Sequence, residues 1–336
     1  MRLPTLAAAC MVLAACGGNK GDVTPTGDTG TDTTTDTDTD TTDTDTDTPT
    51  GNCANAVLDR YPTNGETDVF TWSGIDVTLS QPDASATIVV TDDAGGEVPG
   101  TVWLDGENKR LEFLPSQGFA AGGSYTATLE WACADSAVDF TVGSVGADPV
   151  ADPSTLVDRG YSLDLKNGRF VAPDGIGDAL NSLLEVKLLL GVTAADASSV
   201  SLRAGAEAAG GGQDTTATTT DFEDPATFVN PYFEVTQDVL PLVIEGDPID
   251  VTDLAISGAF AADGSSIEGF RMSGIVDTRD LKDAVGVADD EGVCNLFAAT
   301  FNVQCEECPG GGTYCINLVV ADLPLPETGY PVDEVN

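Results

Sequence analysis

The chain has 336 residues, 41 % of them hydrophobic, and a net charge of -43 from 56 acidic against 13 basic side chains. That balance argues against nucleic acid as a partner, because phosphate binding needs Lys and Arg to release counterions, and an anionic bilayer surface repels it as well. There is no histidine, which removes the usual general base, the Ser-His and Cys-His nucleophile pairs and every imidazole metal site.

The N-terminus reads MRLPTLAAACMVLAACGG. Arg2, the apolar run Leu6 to Leu13 and the small residues Ala14 and Ala15 before Cys16 make residues 1–15 a secretion signal, too short to span a membrane. Leu13-Ala14-Ala15-Cys16 resembles the lipobox of bacterial lipoproteins. The resemblance implies that Cys16 is diacylated on sulfur and becomes an acylated mature N-terminus, a palmitate-type anchor stable without a spanning segment. Gly17 stands where an Asp retains such lipoproteins at the inner membrane, so the resemblance points to the outer membrane, periplasmic or surface-exposed. Residues 17–52 are Thr, Asp, Gly and Pro with almost no apolar side chain, and cannot offset the entropy of ordering. The repelling aspartates stretch this tether of 36 residues to between about 30 Å as a flexible coil and about 120 Å fully extended. Its TDTDTDTD run lacks the central Gly and terminal Glu of a calcium loop.

Residues 53–143 alternate apolar and polar side chains between turn signals. GIDVTLS, ATIVVTD, GTVWLD, KRLEFLP, SYTATLEW and AVDFTVG read as short strands, with DDAGGE as a hairpin turn between the second and third. Strands of this length with Gly and Pro turns predict a β-sandwich. The stretch also resembles the bacterial Ig-like domain of S-layer and other cell-surface proteins, through Pro62, Gly65, Asp68, Val69, Gly96, Val98, Leu111, Phe113, Pro115, Gly123, Tyr125 and Leu129. That resemblance implies a spacer or binding module and no catalytic residues. It departs from the family in a compressed segment between Ser80 and Thr87 and in a cysteine pair. In a secreted chain Cys53 and Cys133 are expected to form a disulfide, which closes a loop of about 80 residues and contributes about 4 to 5 kcal/mol in the chain-entropy model. Trp72, Trp103 and Trp131 are expected as core or rim aromatics rather than a sugar platform.

After a linker at 144–158 the texture changes. GYSLDLKNGRFVAP reads as a hairpin turning at Asn167-Gly168, GIGDALNSLL as a short helix, and EVKLLLGV and SSVSLRAGAEA as strands. A polar excursion, Gly210 to Asp221, separates these from YFEVT, LPLVIEG and a strand pair joined across Asp263-Gly264. TRDLKDAV and CNLFAATF look like short helices, and VQCEECPGGGTYCINLVVADL closes as a hairpin with a glycine turn. The fold class is therefore mainly β: an Ig-like β-sandwich followed, over 159–336, by a disulfide-bonded antiparallel β domain with two or three short helices, such as a barrel or a helix-packed sheet.

Cys294, Cys305, Cys308 and Cys315 are the most specific feature of this second part. In a cytosolic chain they would suggest zinc; behind a lipoprotein signal two disulfides are expected. Of three possible connectivities we take Cys294–Cys305 and Cys308–Cys315, the latter stapling the glycine turn. Glu306 and Glu307 inside C-x2-C would raise the thiol pKa and disfavour redox chemistry. GIGDAL lacks the full dinucleotide fingerprint, no serine sits in a G-x-S-x-G elbow, and Asp289-Asp290 is an acid pair expected by chance in so acidic a chain. The loop DPVADPSTLVD has the composition of a calcium loop and equally of a solvated one. No enzymatic activity, cofactor or metal is expected. The expected protein is a lipid-anchored envelope module whose partner is a membrane through its anchor and an unidentified protein, glycan or apolar ligand. A carrier enclosing a lipid near the apolar LNSLLEVKLLLGV is the alternative.

Overall fold

The computed structural model describes residues 53–173, 187–244, 247–282, 286–301 and 303–335. The signal, Cys16, the tether and the helix expected over 175–184 lie outside the described residues.

The first eight strands are β1 (Val57–Tyr61), β2 (Glu66–Val69), β3 (Ile75–Leu79), β4 (Thr87–Asp92), β5 (Gly100–Leu104), β6 (Arg110–Pro115), β7 (Ser124–Glu130) and β8 (Ser136–Val142). They form two four-stranded sheets, β1-β3-β6-β5 and β2-β8-β7-β4. Alternation decides which side chains meet between them: Ile75, Val77, Leu111 and Phe113 from one sheet pack on Ile88, Val90, Ala127, Leu129, Val138 and Phe140 from the other. The turn expected at DDAGGE is present, with Asp92 accepting from Gly96 N and Val98 N donating to Val90 O. The strands beside it nevertheless separate, because β4 pairs with β7 and β5 with β6. The turn carries the chain from one sheet to the other.

The later elements are β9 (Gly160–Leu163), β10 (Arg169–Ala172), β11 (Leu188–Ala195), β12 (Ser199–Ala206), β13 (Thr220–Asp221), β14 (Ala226–Val229), β15 (Tyr232–Ile244), β16 (Asp247–Phe260), β17 (Ser266–Asp277), α1 (Gly292–Phe301), β18 (Glu306–Glu307) and β19 (Thr313–Pro326). Their sheet runs β10-β19-β17-β16-β15-β14-β12-β11-β9. It closes into a barrel because β9 returns to the edge of β19, where Tyr161 bridges Glu327 and Thr328 N donates to Gly160 O. The hairpin expected at Asn167-Gly168 does not form. Asp164 instead caps a 3-10 turn over Leu165–Asn167 by accepting from Lys166 N, and β9 and β10 follow one another along the same edge of β19. Side chains that point inward from the strands fill the barrel, among them Leu190, Leu202, Phe228, Phe233, Ile256, Phe260, Met272, Val320 and Leu323. Val293 and Phe297 of α1 join this core where β17 ends and β19 begins. Thr278–Leu281, expected to start a helix, is a 3-10 turn capped by Asp277.

Candidate functional site

On β3 and β6 the inward residues are apolar, and the outward ones include Asp76, Arg110 and Glu112. In sequence these read as a solvated face, yet Asp76 is 5 % exposed, Arg110 9 % and Glu112 4 %. They are buried because the outer face of this sheet lies against the outer wall of the barrel. From β10 comes Arg169, whose guanidinium bonds Asp76 at 2.9 Å and Asp322 of β19 at 2.9 Å and sits 3.9 Å over the Tyr61 ring. From β17 comes Arg271, with one nitrogen 2.7 Å from Glu112 Oε2 and 2.5 Å from Oε1. Ser73 donates to Asp322 at 2.8 Å.

Two arginines of the barrel thus meet two carboxylates of the sandwich across the seam, with Arg110 and Asp322 beside them. Burial alone would lower Arg169, but Asp322 and Asp76 outweigh it and hold its pKa above the ordinary value. Burial dominates at Glu112 and pushes its carboxyl up to about 7, against the pull of Arg271, Arg110 and Arg169. Asp76 and Glu112 are directly opposed on neighbouring strands, a like-charge pairing that costs energy unless cations intervene. Asp76 Oδ1, Arg110 NH1 and Arg271 NH1 are buried without a hydrogen bond, so the network fixes orientation more than it adds net stability. Apolar contacts flank it. Trp72 stacks on Tyr232 with ring centroids 4.0 Å apart and planes 13° from parallel. Gly269, at φ +57°, leaves room for Phe70, whose Cγ would lie 3.1 Å from an added β-carbon.

The cysteines pair as Cys53–Cys133, Cys294–Cys305 and Cys308–Cys315, with Cα separations of 5.8, 5.7 and 5.1 Å. Of the three connectivities open for the last four, this one ties α1 and β18 to the start of β19. Thr278 lies against the Cys294–Cys305 bond, 3.1 Å from Cys294 Sγ, and donates to Tyr314 O at 2.6 Å. Asp277 comes near the sulfurs of Cys308 and Cys315, but these are bonded to each other, so neither offers a thiolate to a metal. Asp277 instead binds Arg279, whose hydrogen bonds hold its pKa down.

The other candidate residues are dispersed. Asp290 is exposed and pairs with Lys282 at 3.1 Å, while Asp289 O accepts from Gly292 N. Asp152 accepts from Ser154 and starts a 3-10 turn. Trp103 is 46 % exposed beneath Arg110, and Trp131 donates to Ala134 O. Among the described residues, a cavity of about 10 Å³ between the sandwich sheets and another of about 20 Å³ beside Leu188 and Ala204 have room for roughly one water each.

Residues 52–144 match the bacterial Ig-like domain family. No curated protein matches the chain. Solved structures are similar over parts of it. CopC from Methylosinus trichosporium OB3b is 16 % identical over 26 % of this chain and 93 % of that one, with a TM-score of 0.24. Domains 5-6 of the S-layer protein SbsC are 16 % identical over 66 % of this chain and 91 % of that one, TM-score 0.20. L,D-transpeptidase 3 from Mycobacterium tuberculosis is 23 % identical over 26 % of this chain and 37 % of that one, TM-score 0.20.

Proposed function

We propose that this chain is a non-enzymatic cell-envelope protein, anchored by lipid on Cys16 at the outer membrane, that holds out its sandwich and barrel as one stiff unit on an acidic tether. The barrel is the binding or structural module and the Ig-like sandwich its spacer. The observation that carries this reading is the seam. An ordinary spacer joined by a flexible linker leaves its neighbour free to turn, whereas here two of only 13 basic residues, Arg169 and Arg271, bond buried carboxylates of the sandwich and fix the two bodies against each other. The three disulfides suit an oxidising compartment.

Metabolic labelling with a fatty acid tests the anchor: label is expected in the wild type and absent after Cys16→Ala. Label that persists in the variant, or never appears, refutes it. Protease shaving of intact cells then separates a surface from a periplasmic location. Native mass spectrometry of the unacylated Cys16→Ala chain purified without detergent should give a bare mass; a stoichiometric non-covalent lipid would move the reading to a carrier.

A further inference from the structure

Beyond β19 the chain folds back over the outside of the barrel, across β11 and β12. Nearly all its holding bonds are made to main chain. Gln213, in the polar excursion, pairs with Asp333 as a strand would: its Nε2 donates to Asp333 O and its Oε1 accepts from Asp333 N, both at 2.7 Å. Thr219 does the same for Val335, donating from N at 3.0 Å and accepting on Oγ1 at 2.9 Å. One side chain of the segment is received in a notch. Val332, 5 % exposed, lies over Gly191 and Gly205, where added β-carbons would come 2.6 and 3.0 Å from it. Arg203, fixed by two bonds to Asp221, donates to Val332 O at 3.4 Å and stands 3.9 Å from the Glu334 carboxylate.

Main-chain pairing to an extended segment, one shaped side-chain pocket and one charge reader are the parts of a peptide-recognition groove. The hold on its present occupant rests on hydrogen bonds more than on apolar burial, because Val332 is the one fully buried side chain of the seven residues 329–335 and each ordered residue loses conformational entropy. Such a segment belongs to the low-stability end of a fold and opens without global unfolding.

We propose that this notch is a peptide-binding site, occupied in cis by residues 329–335, and that its exchange partner is an extended segment of another protein carrying valine followed two positions later by glutamate. Gly191 and Gly205 set the valine, Arg203 the acid, and Gln213 and Thr219 read the main chain.

The test uses the full chain and a labelled synthetic peptide of sequence TGYPVDEVN. Val332→Asp expels the resident segment and leaves the groove intact. Because apparent affinity scales with the fraction of open sites, this variant is expected to bind the peptide at least roughly tenfold more tightly than wild type. Gly191→Val fills the notch and should bind none, and a peptide with Val replaced by Asp should fail on every chain. A folded Val332→Asp chain that does not bind the peptide overturns the proposal. Should that variant not fold, hydrogen exchange on wild type decides: amides of Asp333 and Val335 protected as long as those of β16 would mean that the segment never opens, and would equally overturn it; exchange well ahead of β16 supports it. Light scattering that shows wild type dimerising with concentration, with the dimer lost in Val332→Asp, would assign the site to the tail of a second copy and overturn the separate partner.

Discussion

Replacing Arg169 by methionine gives the sharpest test of the seam. The substitution keeps the length and apolar stem of the side chain and deletes the guanidinium that neutralises Asp76 and Asp322. Their side chains are 7 % and 14 % exposed, while Arg169 itself is 27 % exposed. Removing one partner from a buried ion pair costs about 3 to 5 kcal/mol because the remaining charge stays unpaired and desolvated. Partial exposure of Arg169 and the nearby Arg110 and Arg271 place the expected loss near the lower end, about 3 kcal/mol. For a folded body of this size, 1 kcal/mol shifts Tm by about 2 to 4 °C, so the transition should fall by roughly 6 to 12 °C. Calorimetry of the full chain reads this directly. The single transition of wild type should also split, as sandwich and barrel lose their coupling. Lys109→Met is the control, since its pair with Glu107 is 40 % and 58 % exposed and surface pairs contribute about 0 to 1 kcal/mol. If Arg169→Met melts within a degree of Lys109→Met, with one transition, the seam does not couple the two bodies.

Further outcomes follow from the same geometry. Glu112 has a folded-state pKa of about 7 against an ordinary 4.5, so the folded state binds the proton more tightly. Its contribution is therefore favourable below pH 4.5 and is lost as pH rises to about 7; Glu112→Gln should flatten the fall in Tm measured across that window, and an unchanged slope would place the titration elsewhere. Replacing Cys53 and Cys133 by serine opens a loop of 80 residues, against 11 for Cys294 and Cys305. The chain-entropy model gives losses of about 4 to 5 and about 3 kcal/mol, and thermal melts in the two order should check it. Tyr232→Ala removes the ring stacked on Trp72, an interaction of about 0.5 to 1.5 kcal/mol beyond area burial. Tryptophan emission should shift to the red, and an unshifted spectrum would mean that Trp72 stays covered.

Much of the sandwich is legible in the chain because its strands alternate, and period 2 marks an inner face whatever lies outside it. β1, β2 and β14 escape that reading: VLDRY and ETDV are short and polar enough to pass as loops, and ATFV is too short to show a period. The barrel strands are visible in part, but their order is not. Asn167-Gly168 carries the strongest local hairpin signal in its region, yet Asp164 caps a turn there and the edge of β19 takes both flanking strands. Tertiary pairing outweighs a local preference that amounts to a few tenths of a kcal/mol to about one.

The acidic composition and the sandwich's inner face follow from residue types and local spacing, which need no knowledge of what lies across space. The seam could not be read that way. Asp76, Arg110 and Glu112 occupy outward positions that solvent would suit equally, and only docking of the barrel, 93 residues on at Arg169 and 159 residues on at Arg271, turns them into a buried network. The same holds for Gly191 and Gly205. In sequence they are small residues in two strands; only the return of the C-terminal segment over both makes them a pocket. Charge and hydropathy are properties of residues, whereas burial and pairing belong to contacts, and those are set by the closed topology.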